Sequence, residues 1–455
     1  MSKKEKQIYV CQNCGYSTSK WLGKCPDCGE WNTFAEELIA SKKNKQLGTS
    51  SNQPIHLSEI KSIGQHERIF TGIGEFDRVL GSGIFPASVI LIAGDPGIGK
   101  STLMLQVSLK LVSTNKSILY VSAEESLQQI KMRSERLDQV KSNLSILAST
   151  NLEEILYQLE KTKPDVVVVD SIQSIYHPEL SGAPGNVGQV RECAAKLFQF
   201  AKENNCSLFL VGHVTKEGAV AGPKVLEHLV DVVIYFEGSD QQHRIIRSLK
   251  NRFGASNEIG VFEMFSDGLR EVSETSQLFL THYREPVVGS SISCSCEGSR
   301  PLLVEVQALV GRSNYGTPQR TVSGFDYRRL SLILAVLEKF SRQNFGTHDV
   351  FVKIAGGLRI DDPAIDLAVA AALFSSRNNI PVDNHSIYIG ELGLGGDIRP
   401  VSFPSQRLQE AKKRGFKNVY LSSRGSKEIT KSGKDPLQIY PLDSIHKLFK
   451  PHSKM

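Results

Sequence analysis

The sequence predicts an α/β protein: a parallel-sheet core built on a phosphate-binding loop, a small metal-stapled module before it and an α+β domain after it. Three observations predict this. Residues 89–105, VILIAGDPGIGKSTLML, read as a buried strand, a glycine loop and a helix in direct succession. Cys11-x2-Cys14 and Cys25-x2-Cys28 lie ten residues apart near the start of the chain. Beyond about residue 285, strand-like runs at 301–310 and 348–354 alternate with helical patterning at 327–340 and 364–374. A chain of 455 residues with 40% hydrophobic content has material for two or three cores.

The net charge of +6 leans mildly toward anionic partners and selects none. The opening MSKKEKQIYVCQNC lacks the apolar segment of a secretory signal, and no apolar run is long enough to span a bilayer. The expectation is a cytoplasmic protein with no membrane partner, where eight cysteines do not form a disulfide framework. Cys11, Cys14, Cys25 and Cys28 can present four thiolates to one tetrahedral Zn²⁺. Gly15 and Gly29 follow the two pairs and free the backbone to turn toward sulfur. Four free thiols or two redox pairs are the other readings. So short a module buries little, so a bound metal would supply most of its folding energy. Lys20, Trp21, Lys24 and Trp31 either pack on it or meet a partner or nucleic acid. The module is assigned to residues 1–37, a polar flexible linker to 38–56, the core to 57–284 and the last domain to 285–455.

Gly94-Asp95-Pro96-Gly97-Ile98-Gly99-Lys100-Ser101 fits G-x-x-x-x-G-K-[ST], with Thr102 opening the helix. The N–H groups of such a turn, backed by a helix N-terminus, cradle phosphates. These nine residues are the expected ATP-binding loop. Lys100 would reach the β- and γ-phosphates, and Ser101 would ligate Mg²⁺. Asp165-Val-Val-Val-Val-Asp170 reads as a strand running into Asp170, which would hold Mg²⁺ through water; a helix cap is the alternative. Residues 117–126, SILYVSAEES, form a further strand ending in Glu124 and Glu125, where strand-end carboxylates meet the ligand crevice of an open sheet.

T-G-I-x-x-F-D-x-x-L-G-x-G at 71–83, just upstream of the loop, resembles the RecA/DnaB/KaiC class of ATPases. The resemblance implies that Glu124 orients and deprotonates the attacking water. It implies that His213, ending SLFLVGH, senses the γ-phosphate. It also implies that the glycine-rich stretches 177–190 and 215–224 face a central hole and grip DNA, with Arg191, Lys216 and Lys224 on the phosphates; ordinary surface loops are the alternative.

Lys250-Asn251-Arg252-Phe253-Gly254 narrows the resemblance. Together with a zinc ribbon and a C-terminal domain similar to the Lon protease fold, the chain resembles the RadA (Sms) family of bacterial DNA-repair ATPases. That implies a homo-hexameric ring hydrolysing ATP at its seams, where Lys250 and Arg252 complete a neighbour's site. It implies single-stranded and branched DNA and the RecA recombinase as partners, with branch migration as the outcome. LLVEVQALV, 302–310, resembles the opening of the Lon fold. A Lon dyad needs a serine after a D-G-P-like turn and a downstream lysine. Here the turn is Asp361-Asp362-Pro363-Ala364, and the lysine position falls near Ser405, so a fold without the chemistry is expected. Arg312, Arg320, Arg328 and Arg329, interleaved with Tyr315 and Tyr327, would line a basic DNA channel or form a solvated basic face. Cys294 and Cys296 have no partner pair. A KaiC-like ATP-binding regulator and an ATP-dependent peptidase are the other function classes; Ala364 argues against the second.

Overall fold

The computed structural model describes the chain apart from residues 1–5, 12–15, 28, 40–55, 60–63, 65–66, 138–142, 181, 214–223, 239–241, 273–278, 281–284, 314–315, 430–436 and 449–455. The chain divides into two compact units between Val272 and Ser273. In the first, a three-stranded antiparallel sheet, β1 (Lys6–Cys11), β2 (Ser17–Thr18) and β3 (Phe34–Ile39), carries the cysteine module in the order β2-β1-β3. Among its described residues the core is very small: Cys11, Cys25 and Phe34, with Tyr9 packed against them.

The larger sheet of the first unit has nine strands. Helix α1 (Gly74–Val79) leads into β4 (Val89–Gly94), followed by α2 (Lys100–Ser113), β5 (Ile118–Ser122), α3 (Leu127–Arg136) and β6 (Ser145–Ala148). Then come α4 (Leu152–Thr162), β7 (Val166–Asp170), α5 (Val187–Glu203), β8 (Ser207–His213) and α6 (Lys224–Glu227). Strands β9 (Val232–Gly238), β10 (His243–Asn251), β11 (Ile259–Phe265) and β12 (Gly268–Glu271) complete it. The order is β12-β11-β10-β9-β4-β8-β7-β5-β6; β9 through β6 run parallel, and the other three add antiparallel.

The continuous apolar runs of β4 and β7 follow from burial on both faces. Val89, Leu91, Val167 and Val169 point into one core with Ile155 and Leu159 of α4 and Leu197 of α5. Ile90, Ile92, Val166 and Val168 point into the other with Phe76 of α1 and Leu103 and Val107 of α2. Each such side chain contributes about 1.5–3 kcal/mol on burial. Strand parity therefore decides which groups share a face at the strand ends, and the ends of β4, β5, β7 and β8 converge on the glycine loop.

The second unit is α+β. Strands β13 (Ser290–Glu297), β14 (Arg300–Arg312), β15 (Arg320–Ser323), β16 (His348–Ile354), β17 (Ser386–Ile389), β20 (Asn418–Ser422) and β21 (Gln438–Leu442) form a mixed sheet ordered β15-β16-β14-β13-β17-β20-β21. A short ladder of β18 (Glu391–Leu392) and β19 (Ile398–Arg399) stands beside it. Its helices include α7 (Tyr327–Ser341), α8 (Asp366–Asn378) and α9 (Pro404–Lys413). Asp326 caps α7 by accepting from Arg329 N–H at 2.9 Å. No helix among the described residues is long and apolar enough to cross a membrane.

Candidate active site

The loop between β4 and α2 holds Gly97 at φ +73° with nothing within 4 Å of where a Cβ would stand. Open space on that side is what a phosphate needs to approach backbone N–H groups. Ser101 sits in the first turn of α2, and Thr102 follows it. The Lys100 side chain does not reach into solvent. It is 2% exposed, and Nζ donates to Gly94 O and Asp95 O, both at 2.8 Å. It also lies 3.0 Å from His213 Nδ1. Burial lowers its pKa to about 8, opposed by the negative charges of Asp170, Glu124 and Asp95.

An ammonium can only donate, so His213 Nδ1 accepts, and the ring proton sits on Nε2. Nε2 faces Glu124 Oε1 at 3.4 Å. Glu124 lies two residues past the end of β5, and the same oxygen accepts from Ser174 Oγ at 3.2 Å and from Ser171 Oγ. His213, then these hydroxyls, hold its carboxyl down at about 2 against the opposing effect of burial. So weak a base suits orienting a water better than taking its proton. Glu125 points elsewhere, to Arg133, while Ser126 and Gln129 form the capping box of α3. Gln173 Nε2 donates to His213 O at 3.1 Å and so ties the turn after β7 to the end of β8.

Asp170 ends β7, buried, and its two oxygens differ. Oδ2 accepts from Tyr120 Oη at 2.7 Å, whereas Oδ1 is buried with no partner. A buried unpaired carboxylate oxygen beside a phosphate loop fits a cation site, and Ser101 and Asp170 are the residues that would hold Mg²⁺.

Lys250 to Gly254, at and just past the end of β10, make contacts on two sides. Lys250 Nζ turns inward to Glu227 O at 2.7 Å and Val230 O at 2.8 Å, contrary to the expectation that it faces outward. Arg252 is 55% exposed and bonds Asp231 Oδ1 at 3.2 Å. Asp231 is buried and also accepts from Lys202 Nζ at 2.7 Å and from Val89 N at 3.0 Å. The other side locks to the segment before β4. The Phe253 ring stacks on Phe85 at 4.1 Å, and Gly254 passes so close that its Cβ would stand 2.7 Å from Gly81 Cα.

The expected DNA contacts fall on separate elements of the two units. Lys216 lies outside the described residues, and Lys224 opens α6. Arg191 lies on α5, exposed. Of the 177–190 stretch, residues from Val187 on belong to α5, and Gln189 there ties back the start: its Oε1 accepts from His177 N at 2.8 Å, and its Nε2 donates to Leu180 O at 3.0 Å. Arg312 is exposed at the end of β14. Arg320 has a structural task, donating to Phe345 O at 2.7 Å and to His348 O, and Arg329 likewise binds Asp366 at 2.6 Å. In the cysteine module, Cys11 and Cys25 are buried in one cluster; Cys14 and Cys28 lie outside the described residues. Cys25 O accepts from Gly29 N at 2.9 Å, closing a tight turn at the second pair.

Residues 9–36 match the family model of the rubredoxin metal binding domain and residues 77–219 that of the AAA domain. Residues 308–424 match the model of subunit ChlI of Mg-chelatase. DNA repair protein RadA of Listeria monocytogenes is 47% identical over 447 residues, 97% of each chain. RadA of Streptococcus pyogenes is 49% identical over 422 residues, 92% of each. RadA of Bacillus subtilis is 47% identical over 425 residues, 92% of this chain and 93% of that one. The chain belongs to the RadA family. Among solved structures, an isolated ATPase domain overlays with a TM-score of 0.40 at 13% identity, over 45% of this chain and 91% of that one.

In this RadA family member the sequence expectation of a zinc ribbon, a RecA-like core and a Lon-like α+β domain is met. The turn Asp361 to Ala364, where the sequence resemblance would look for a dyad serine, holds Ala364 fully buried. Ser405 is exposed at the start of α9, and the side chain that reaches this turn is Arg407, two residues further on. Arg407 is 0% exposed, and its Nη1 pairs with Asp362 Oδ2 at 2.7 Å. Sequence reasoning passed over Arg407, Tyr120, Gln189 and Asp231. None of the four carries a local signal: Tyr120 shares strand parity with the end of β5, but only the pairing of β5 with β7 shows that it meets Asp170.

Proposed function

We propose that this chain is a DNA-dependent ATPase motor of DNA repair: a cytoplasmic homo-hexamer that hydrolyses ATP at its seams and drives branch migration on single-stranded and branched DNA with the RecA recombinase. The observation that carries the chemistry is the convergence of Lys100, His213, Glu124 and Asp170 on one loop. DNA repair as the setting is supported by the relatives' name.

Within this reading, residues 94–102 hold the triphosphate, with Lys100 moving from the Gly94 and Asp95 carbonyls to the β- and γ-oxygens. His213 follows Lys100, because Nδ1 loses its donor when the ammonium leaves. Glu124, fixed by Ser171 and Ser174, aligns the attacking water. Ser101 and Asp170 hold Mg²⁺, which when bound neutralises charge on the phosphate oxygens. Lys250 and Arg252 act on a neighbour's nucleotide, for which Arg252 must leave Asp231 and Lys250 must leave the Glu227 and Val230 carbonyls. Cys11, Cys14, Cys25 and Cys28 hold one Zn²⁺ in the ribbon, 1–37; 38–56 is the linker, 57–284 the motor and 285–455 the Lon-like scaffold. Arg191, Lys224 and Arg312 remain in the proposed DNA surface with Lys216, whereas Arg320 is engaged by its own domain.

The experiment is steady-state ATP turnover by the purified full chain, with and without single-stranded DNA. Turnover that rises several-fold with DNA supports a motor. Turnover indifferent to DNA would point to an ATP-binding regulator instead.

A further inference from the structure

Tyr120 poses a problem of chemistry. It is 2% exposed and packs in the core with Ile130, Leu103 and Ile118, where phenylalanine would bury the same ring. A hydroxyl taken into such surroundings costs about 1–3 kcal/mol unless it finds a partner. The partner is Asp170, and strand geometry dictates it. Strands β5 and β7 are parallel neighbours, with Tyr120 opposite Val168 and Ser122 opposite Asp170. Residues 118 and 120 share a face with 166 and 168, and Asp170 continues that parity. The Tyr120 side chain therefore runs diagonally along the sheet to the carboxylate and places Oη 2.7 Å from Oδ2.

That bond makes the two oxygens of Asp170 unequal. The torsion that turns a carboxylate is broad and two-fold, so an unbonded aspartate has no fixed plane. With Oδ2 engaged by the tyrosine O–H, Oδ1 is left as a buried acceptor without a partner. Asp170 ends the strand beside β5 and stands near enough to Lys100 of the phosphate loop for its charge to act on that ammonium.

We propose that Tyr120 is a positioning residue for the nucleotide's divalent cation: its hydroxyl locks the Asp170 carboxylate so that Oδ1 is presented toward the Mg²⁺–triphosphate. This deepens the ATPase reading above and rests on it. The role is distinct from packing, because removing one oxygen leaves the ring and the core intact. Hydrogen-bond partners that orient metal ligands are worth about 10–100-fold in metal affinity.

The test is binding of a fluorescent, non-hydrolysable ATP analogue to the full chain, first in EDTA and then across a Mg²⁺ titration. Wild type and Tyr120→Phe should bind the analogue equally in EDTA. The Mg²⁺ concentration giving half the metal-dependent gain should be about 10-fold higher in Tyr120→Phe. On an Asp170→Asn background, Tyr120→Phe should shift nothing further, since it acts through that carboxylate. An unchanged Mg²⁺ midpoint overturns the proposal, as does an equal loss of binding in EDTA, or a full additional shift on Asp170→Asn. Wild type that binds no analogue in either medium overturns the nucleotide-site reading itself, and a bound analogue with an unmoved midpoint overturns only the role of Tyr120.

Discussion

The Lys100 ammonium is buried against two loop carbonyls and an imidazole, and its pKa is lowered to about 8. It is charged at neutral pH and loses its proton just above. Only the charged form attracts phosphate, so kcat/KM, which reports the free enzyme, should fall on the alkaline side with an apparent pKa near 8. A profile that stays level well above that pH would contradict this. Lys100→Ala should keep the fold, because its bonds go only to loop carbonyls and His213, and ATP turnover should drop about 100-fold or more. Glu124, held at about 2, contributes no acid limb near neutrality. Glu124→Gln should therefore keep nucleotide binding and lower turnover across the whole pH range; retained turnover would remove Glu124 from the water's site. Lys100 and Ser101 were legible in the sequence through the glycine-loop motif, Asp170 and His213 because each ends an apolar strand run, and Glu124 because it follows one. Tyr120, Gln173 and Asp231 were not. Each acts on a residue of a different strand, and only strand order shows which one.

At the scale of elements, legibility tracked periodicity. The apolar runs of β4, β7 and β8 announce strands buried on both faces, and α2 follows its glycine loop. The antiparallel strand β12 and the short β18–β19 ladder carry no such pattern, since sheet neighbours rather than sequence hold them. The turn Asp361 to Ala364 was legible as a departure from Lon chemistry, yet the buried Arg407 was not, because nothing local marks an arginine as interior. Asp362 takes Arg407 Nη1 at 2.7 Å, Cys296 N at 2.7 Å and Ala364 N at 2.9 Å. Arg407→Ala would leave that carboxylate unpaired and should destabilise the second unit by about 3–5 kcal/mol, seen as an earlier transition in chemical denaturation. Wild-type stability would mean that the Arg407–Asp362 pair does not hold the unit together. Ala364→Ser should not create protease activity, because Arg407, permanently charged and engaged by Asp362, cannot act as the activating base a serine needs. Cleavage of an unfolded substrate by that variant would contradict the scaffold reading.

At the scale of the whole molecule, the Lys250–Gly254 segment joins the turn after α6 to the segment before β4, and Arg252 is its half-exposed cation. If Arg252 serves the next subunit's nucleotide, Lys100→Ala and Arg252→Ala chains should each be nearly inactive. Mixed rings should regain part of the activity, since some seams pair an intact Lys100 with an intact Arg252. Mixtures no more active than their parents, in rings shown to exchange subunits, would confine both residues to one chain. Metal analysis should find one Zn²⁺ per chain, lost in Cys11→Ser/Cys14→Ser while DNA-free ATP turnover persists; zinc retained there would place the metal elsewhere. Motor activity on DNA is read most directly as extension of a labelled three-strand DNA junction by the purified full chain. A motor of this kind should give extension that requires ATP, increases with RecA present and vanishes in Lys100→Ala. Extension that proceeds equally without ATP, or none by a wild type that hydrolyses ATP on the same DNA, would contradict the motor reading.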